Sequence, residues 1–348
     1  MKPFTYLKKI LFCISLMFVL THHQSNAGDW LKWTSDHTPI NAMAVHGDIT
    51  WMGTDSFLVK FDMVDNGFAQ FNPDNSPMPS RKTNALAADS LGNLWIGTDS
   101  GLVFYDGATW TIYNTSNSAL AEDTVTVLTI VSNGDLWIGT KNQGAQKFDG
   151  TAFTTYSVGT GNLPLNRISF IFQDPFSLIW IGTLGGGIVK YDGTTWTPYN
   201  NSTIGSTLLD IATCMRYQSG NFLYYVGTDN GMVKFNGSST AGTFFPTFAG
   251  LGTNIVTTME YNPSNGLIYI GTGAGYVEYS DDLTFNAYTD LFGGFDNDDI
   301  HSFAIHNNTL LIGAGDSYMC RWRVGWDNLY RGLNFRFINA MDVDSKNN

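Results

Sequence analysis

The chain is built on a period. A four-residue anchor, an aromatic or apolar residue followed by Ile or Met, then Gly and Thr, stands at Trp51-Met52-Gly53-Thr54, Trp95-Ile96-Gly97-Thr98, Trp137-Ile138-Gly139-Thr140 and Trp180-Ile181-Gly182-Thr183. Looser copies follow at Tyr225-Val226-Gly227-Thr228, Tyr269-Ile270-Gly271-Thr272 and Leu311-Ile312-Gly313-Ala314. Successive anchors are 44, 42, 43, 45, 44 and 42 residues apart. A unit of this size buries its apolar faces by stacking on its neighbours, and repeats of about 40–50 residues are the length of propeller blades.

Each unit divides into four short strands. In residues 84–113, the small, apolar Asn84 to Ala88 suits an inner strand (a), where blades converge and space is scarce. Asn93 to Thr98 reads as strand b, Gly101 to Tyr105 as strand c and Trp110 to Tyr113 as the outer strand d. Asp106-Gly107 turns c into d and recurs as Asp149-Gly150, Asp192-Gly193 and, with Asn in place of Asp, Asn236-Gly237. Composition agrees with an all-β class: 37 of the 348 residues are Gly, 14% are aromatic and only 14% are charged. The expected fold is a β-propeller of about seven four-stranded blades, closed by an N-terminal outer strand for which Trp33-Thr34 is the candidate.

The anchor glycine marks a place where an adjacent sheet or a bulky neighbour leaves no room for a Cβ. The aromatic before it reads as packing between blades, with a sugar-stacking platform as the alternative.

The N-terminus carries Lys2, Lys8 and Lys9, an apolar run from Ile10 to Leu20 and a small-residue site at Ser25-Asn26-Ala27. That pattern predicts an export signal over 1–27, a propeller over 28–337, and a periplasmic or extracellular location. No later stretch approaches the ~20 apolar residues of a membrane span, so none is expected in the mature chain. Cys13 falls in the export segment. Cys214 and Cys320 lie in blades that do not touch in the repeat register and read as two buried free thiols.

A net charge of −12, with 18 Lys and Arg against 30 Asp and Glu, argues against nucleic acid as a partner. It leaves open cations, neutral glycans and basic peptides.

The run Asn93 to Thr98, followed by Gly101-Leu102 and Phe104-Tyr105-Asp106-Gly107, resembles the two-component regulator propeller repeat. The resemblance extends over residues 30 to about 325 and is strongest between 84 and 199. It implies a bacterial propeller outside the cytoplasm, of the kind found as the input domain of hybrid sensor kinases, where glycan fragments are detected, and in secreted multidomain proteins of Bacteroidetes-like organisms. It implies no catalytic residues.

Residues 338–348 match Thr83 to Asn93 and so begin a further repeat. They read either as the start of a longer product, with more propeller or a sorting, membrane or kinase segment, or as a stray closing strand.

No nucleophile elbow, P-loop or His-Glu-x-x-His motif is present. His46 and His306 hold equivalent positions and read as exposed turn residues, or as near neighbours if the first and last blades meet. A non-catalytic ligand-binding propeller for a glycan or other small polar ligand is therefore expected, without a cofactor. A secreted adhesive or protein-binding module is the alternative, and a lyase or hydrolase propeller the third reading.

Ligand contacts are expected where d–a and b–c loops gather. Phe292 and Phe295 with Asp296, Asn297 and Asp298 could stack on and hydrogen-bond a sugar, or the carboxylates could hold Ca2+. A solvated loop is the plainer reading. Lys141, Asn142 and Gln143 in one b–c turn, and Asp229 and Asn230 in another, are the remaining candidates.

Overall fold

A computed structural model describes residues 19–25, 28–34, 38–65, 67–204, 209–220, 222–238, 240–244, 253–280, 285–288, 299–315 and 318–323. Two N-terminal strands, β1 (Val19–Ser25) and β2 (Gly28–Thr34), precede the repeats.

Blade 1 comprises β3 (Ile40–His46), β4 (Ile49–Thr54), β5 (Leu58–Asp62) and β6 (Phe68–Phe71). Blade 2 comprises β7 (Thr83–Ala88), β8 (Leu94–Thr98), β9 (Gly101–Tyr105) and β10 (Trp110–Tyr113). Blade 3 holds β11 (Val125–Ile130), β12 (Leu136–Thr140), β13 (Ala145–Phe148) and β14 (Phe153–Tyr156). Blade 4 holds β15 (Ile168–Gln173), β16 (Ile179–Thr183), β17 (Gly187–Tyr191) and β18 (Trp196–Tyr199), followed by one helical turn, α1 (Asn201–Ile204).

Blade 5 is β19 (Ala212–Gln218), β20 (Leu223–Thr228), β21 (Gly231–Phe235) and β22 (Thr240–Phe244). Blade 6 is β23 (Val256–Asn262), β24 (Leu267–Thr272), β25 (Gly275–Tyr279) and β26 (Phe285–Tyr288). All six are antiparallel sheets in chain order. A seventh sheet is built differently, with β27 (Ile300–His306), β28 (Thr309–Ala314) and β29 (Tyr318–Arg323) continuing into β2 and β1. The expectation of about seven four-stranded blades is thus corrected to six. The last repeat contributes three described strands, and two N-terminal strands extend it to five.

The anchors explain how blades stack. Trp51, Trp137, Trp180, Tyr225, Tyr269 and Leu311 are all at least 96% buried, in clusters that draw on two neighbouring sheets. A Cβ on Gly97 would stand 2.7 Å from Val125 of the next blade, and one on Gly139 2.7 Å from Ile168. The anchor glycine therefore leaves room for the first residue of the neighbouring strand a. The anchor threonine is equally constrained: Thr54, Thr98, Thr140, Thr183, Thr228 and Thr272 are buried, and each hydroxyl donates to a carbonyl across the b–c turn at 2.8–2.9 Å.

Strand a of all seven sheets carries a β-bulge at its second residue, which leaves that residue out of the ladder with strand b. A bulge re-aims its side chain, in blades 1, 2, 5 and 6 toward the adjacent sheet. These bulged residues are Asn41, Asn84, Thr126, Ser169, Thr213, Thr257 and His301.

Cys214 is a buried free thiol, and the side chain of Cys320 lies outside the described residues.

Candidate functional site

In most sheets the bulged residue or its neighbour ties strand a to the next sheet. Asn41 Nδ2 donates to Thr83 O and Asn84 Nδ2 to Val125 O, both at 3.1 Å. Thr213 Oγ1 donates to Val256 O at 2.6 Å, Thr257 Oγ1 to Ile300 O, and Ser302 Oγ to Ile40 O at 3.3 Å.

Blades 3 and 4 depart from this pattern. The Thr126 hydroxyl turns back to Gly139 O of its own blade at 3.3 Å, and the buried Ser169 hydroxyl has no hydrogen-bond partner.

The residue after the anchor also varies along the repeat. In blades 1 and 2 the residue after the anchor is an aspartate that accepts from the bulged asparagine: Asn41 Nδ2 to Asp55 and Asn84 Nδ2 to Asp99, each at 2.8 Å. In blades 3 and 4 that position holds Lys141 and Leu184. The Asn–Asp pair is confined to blades 1 and 2; the corresponding residues in the later sheets are Thr126 and Lys141, Ser169 and Leu184, Thr213 and Asp229, Thr257 and Gly273, and His301 and Gly315.

A cavity of about 480 Å³ opens at this departure, within the size range of small-molecule sites. Its lining includes the bulged residues at the starts of four inner strands, Asn84, Thr126, Ser169 and Thr213. Lys82, Lys141 and Arg167 bring three cations against the single carboxylate of Asp99. Lys82 is matched by Asp55 at 3.2 Å, whereas Lys141 and Arg167 make no ion pair among the described residues. In an acidic chain, this mouth carries uncompensated positive charge. Such a lining can recognise a polar, hydroxylated molecule by hydrogen bonds and an acidic group by charge.

The residues expected from sequence are distributed unevenly around it. Lys141 lines the cavity. Asn142 and Gln143 are held by Glu122, whose carboxylate accepts from the Asn142 backbone N–H at 2.6 Å, the Asn142 side chain at 2.9 Å and the Gln143 N–H at 3.2 Å. These two residues shape the turn that presents Lys141. Asp229 and Asn230 sit on the exposed b–c turn of blade 5, outside the lining set. Phe292, Phe295, Asp296, Asn297 and Asp298 lie outside the described residues.

Sequence reasoning did not single out Lys82, Asn84, Thr126, Arg167, Ser169 or Thr213. Aligning the units at the bulge and at the residue after the anchor displays the change from Asn–Asp to Thr–Lys, which is the signal that could have found them.

The two equivalent histidines part company. His306 is buried, with Nε2 3.1 Å from the Asp48 carboxylate of blade 1, while His46 lies against Gly92 of blade 2. The exposed-turn reading is therefore corrected for His306: it fills the space between its own sheet and the first a–b turn. Among the described residues no three His, Cys, Asp or Glu side chains gather as a metal site, and no helix is long and apolar enough to cross a membrane.

Residues 77–100 match the family model of the two component regulator propeller, so the chain carries this repeat. No curated protein matches the sequence. Among solved structures, the extracellular domain of a putative hybrid two component system from B. thetaiotaomicron is 19% identical, with a TM-score of 0.65, over 81% of this chain and 40% of its own. PorZ, a bacterial surface component of the type-IX secretion system of Porphyromonas gingivalis, is 14% identical, with a TM-score of 0.66, over 85% of this chain and 49% of its own. Virginiamycin B lyase from Staphylococcus aureus is 12% identical, with a TM-score of 0.66, over 85% of this chain and 99% of its own. This chain thus spans less than half the length of the first two. At these identities all three likenesses concern the fold.

Proposed function

We propose that this chain, a bearer of the two component regulator propeller repeat, is an extracytoplasmic, non-catalytic ligand-binding propeller of the sensor type that takes a glycan fragment or other small polar ligand. The observation that carries this reading is the cavity among Asn84, Thr126, Lys141, Arg167 and Ser169, opened where the bulged residues of blades 3 and 4 make no hydrogen bond to the next sheet. Its likeness to the extracellular domain of a hybrid two component system lends support at the level of fold.

The architecture belonging to this reading is a closed ring, in which the seventh sheet joins blade 6 to blade 1. Leu311 of the seventh sheet clusters with Ile40, Met52 and Val59 of blade 1, as neighbouring blades do elsewhere. Strand β2 pairs with β29 from Asp29–Arg323 to Thr34–Tyr318 and takes the place of an outer strand. Cleavage after Ala27, proposed for export, removes β1 and leaves the order β2-β29-β28-β27, the four-strand count of the other blades.

A thermal-shift screen of the chain against neutral and acidic oligosaccharides tests the function. A ligand at about 100 times its dissociation constant stabilises the fold by ~2.7 kcal/mol, which raises the melting temperature by several degrees. The bound sugar is expected to be recovered chemically unchanged. Its cleavage would replace the sensor reading with an enzymatic one, and absence of any shift across the panel would refute a glycan ligand.

A further inference from the structure

We infer that the ligand of this mouth cavity is an acidic sugar, a hexuronate-bearing oligosaccharide, whose carboxylate is held between Lys141 and Arg167; the inference rests on the ligand-binding reading above. The first ground is the charge reversal within the repeat. Asp55 and Asp99 occupy the turn position that Lys141 takes in blade 3, and each already accepts a hydrogen bond from its blade's bulged asparagine. Blade 3 lacks that pair, as the later sheets do, and it is the blade that carries a cation at this turn, so the lysine replaces no structural bond of its own blade.

The second ground is pairing. The other cation of the lining, Lys82, is matched by Asp55 at 3.2 Å, and Asp99 is matched by Asn84 at 2.8 Å. Lys141 and Arg167 remain as the cations without an ion pair among the described residues, placed by the b–c turn of blade 3 and the start of strand a in blade 4, and with Asp99 still charged they leave the lining one positive charge in excess. The other polar residues of the lining, among them Asn84, Thr124, Thr126 and Thr213, are neutral donors and acceptors. Charge beside hydroxyl-binding groups fits a sugar acid better than a bare anion or a neutral sugar.

The overall charge of −12 does not prevent this. Screening in about 0.15 M salt confines exposed charges to roughly 8 Å, so distant carboxylates lose influence while the two cations act at contact.

The test uses calorimetry with two probes, a disaccharide of two linked hexuronic acids and the neutral disaccharide of the same linkage. The diuronate should bind at least about tenfold more tightly, and Lys141→Asp or Arg167→Ala should each remove about tenfold of its affinity, the scale of a charged hydrogen bond. Lys141→Asp restores the residue that blades 1 and 2 carry at the same place, so its fold should survive, as an unchanged melting temperature would verify. Arg81→Ala, which removes an exposed cation paired with Asp74 away from the cavity, should leave affinity unchanged.

Equal binding of the two probes, or diuronate binding indifferent to both substitutions, overturns the acidic-sugar assignment and leaves the ligand-binding reading standing. Failure of both probes, combined with failure of the wider oligosaccharide panel, overturns both.

Discussion

The Tyr224 hydroxyl of blade 5 donates to the Asp174 carboxylate of blade 4 at 2.6 Å. Asp174 is 96% buried and also accepts from Trp180 Nε1 at 3.0 Å and from the backbone N–H groups of Phe176 and Leu178 at 2.9 Å. A buried carboxylate tolerates its position only when surrounded by donors in this way. It ties a tight a–b turn, the anchor tryptophan and the next blade into one unit.

Tyr224→Phe should therefore destabilise the protein by about 1–2 kcal/mol, the scale of a hydrogen bond to a charged group, as measured by urea unfolding. Burial, and then the Asp174 carboxylate, hold the Tyr224 pKa above its ordinary value. Because the folded-state pKa is raised, its contribution is complete below the unfolded value of about 10 and is lost as pH rises above it. Tyr224→Phe should flatten the alkaline limb of the stability profile. A variant with the parental stability and alkaline slope would show that the contact carries no weight.

Gly139→Ala tests the packing role of the anchor glycine. The new methyl would lie 2.7 Å from Ile168 of the next blade and 2.9 Å from Val127, both β-branched and fixed in the core. A loss of about 1–3 kcal/mol is expected from overpacking. Gly220→Ala is the control, since a Cβ there meets nothing within 4 Å. Equal stability of the two variants would contradict the account of blade stacking.

The Asp149 side chain accepts from the Ala152 backbone N–H at 2.8 Å, the Thr151 hydroxyl at 2.7 Å and the Thr151 backbone N–H at 2.9 Å, which holds its pKa down to about 2. A depressed carboxylate adds stability above its unfolded pKa of about 4 and loses it as pH falls toward 2. An NMR titration should place the Asp149 midpoint well below that of a free aspartate. Asp149→Asn should keep the turn, because Asn236 accepts from Ser238 N–H at 3.0 Å in the equivalent place. The variant should lose the acid-dependent part alone.

A chain beginning at Gly28 should melt within a few degrees of the full chain, whereas one beginning after Thr34 should melt on the order of 10 °C lower, because β29 then becomes an open sheet edge. Calorimetry distinguishes them. Equal melting of the two truncations would exclude β2 as the closing strand.

Much of the blade could be read directly from the residues. The expected strands of residues 84–113 differ from β7 to β10 by at most one residue at any end. Alternation, Asp-Gly turns and the glycine anchor act within a single unit, so the sequence displays them wherever they recur. The bulge at the second residue of strand a was not visible, because its register depends on pairing with strand b. The contact that holds the Asn142 side chain was hidden for a similar reason: Glu122 is 20 residues before Asn142 and belongs to another loop.

The sequence by itself determined the class, the repeat length and the four-strand unit, since these follow from local periodicity and from backbone positions that admit only glycine. Only the tertiary structure decided which departures from the repeat meet. Lys82, Lys141 and Arg167 belong to three different units, and Asp174 and Tyr224 are 50 residues apart. Each becomes a neighbour of the other only when inner strands line up side by side. A repeat sequence records what every blade must have in order to pack. The candidate site instead lies where adjacent blades cease to be alike, and adjacency is a property of the assembled sheets.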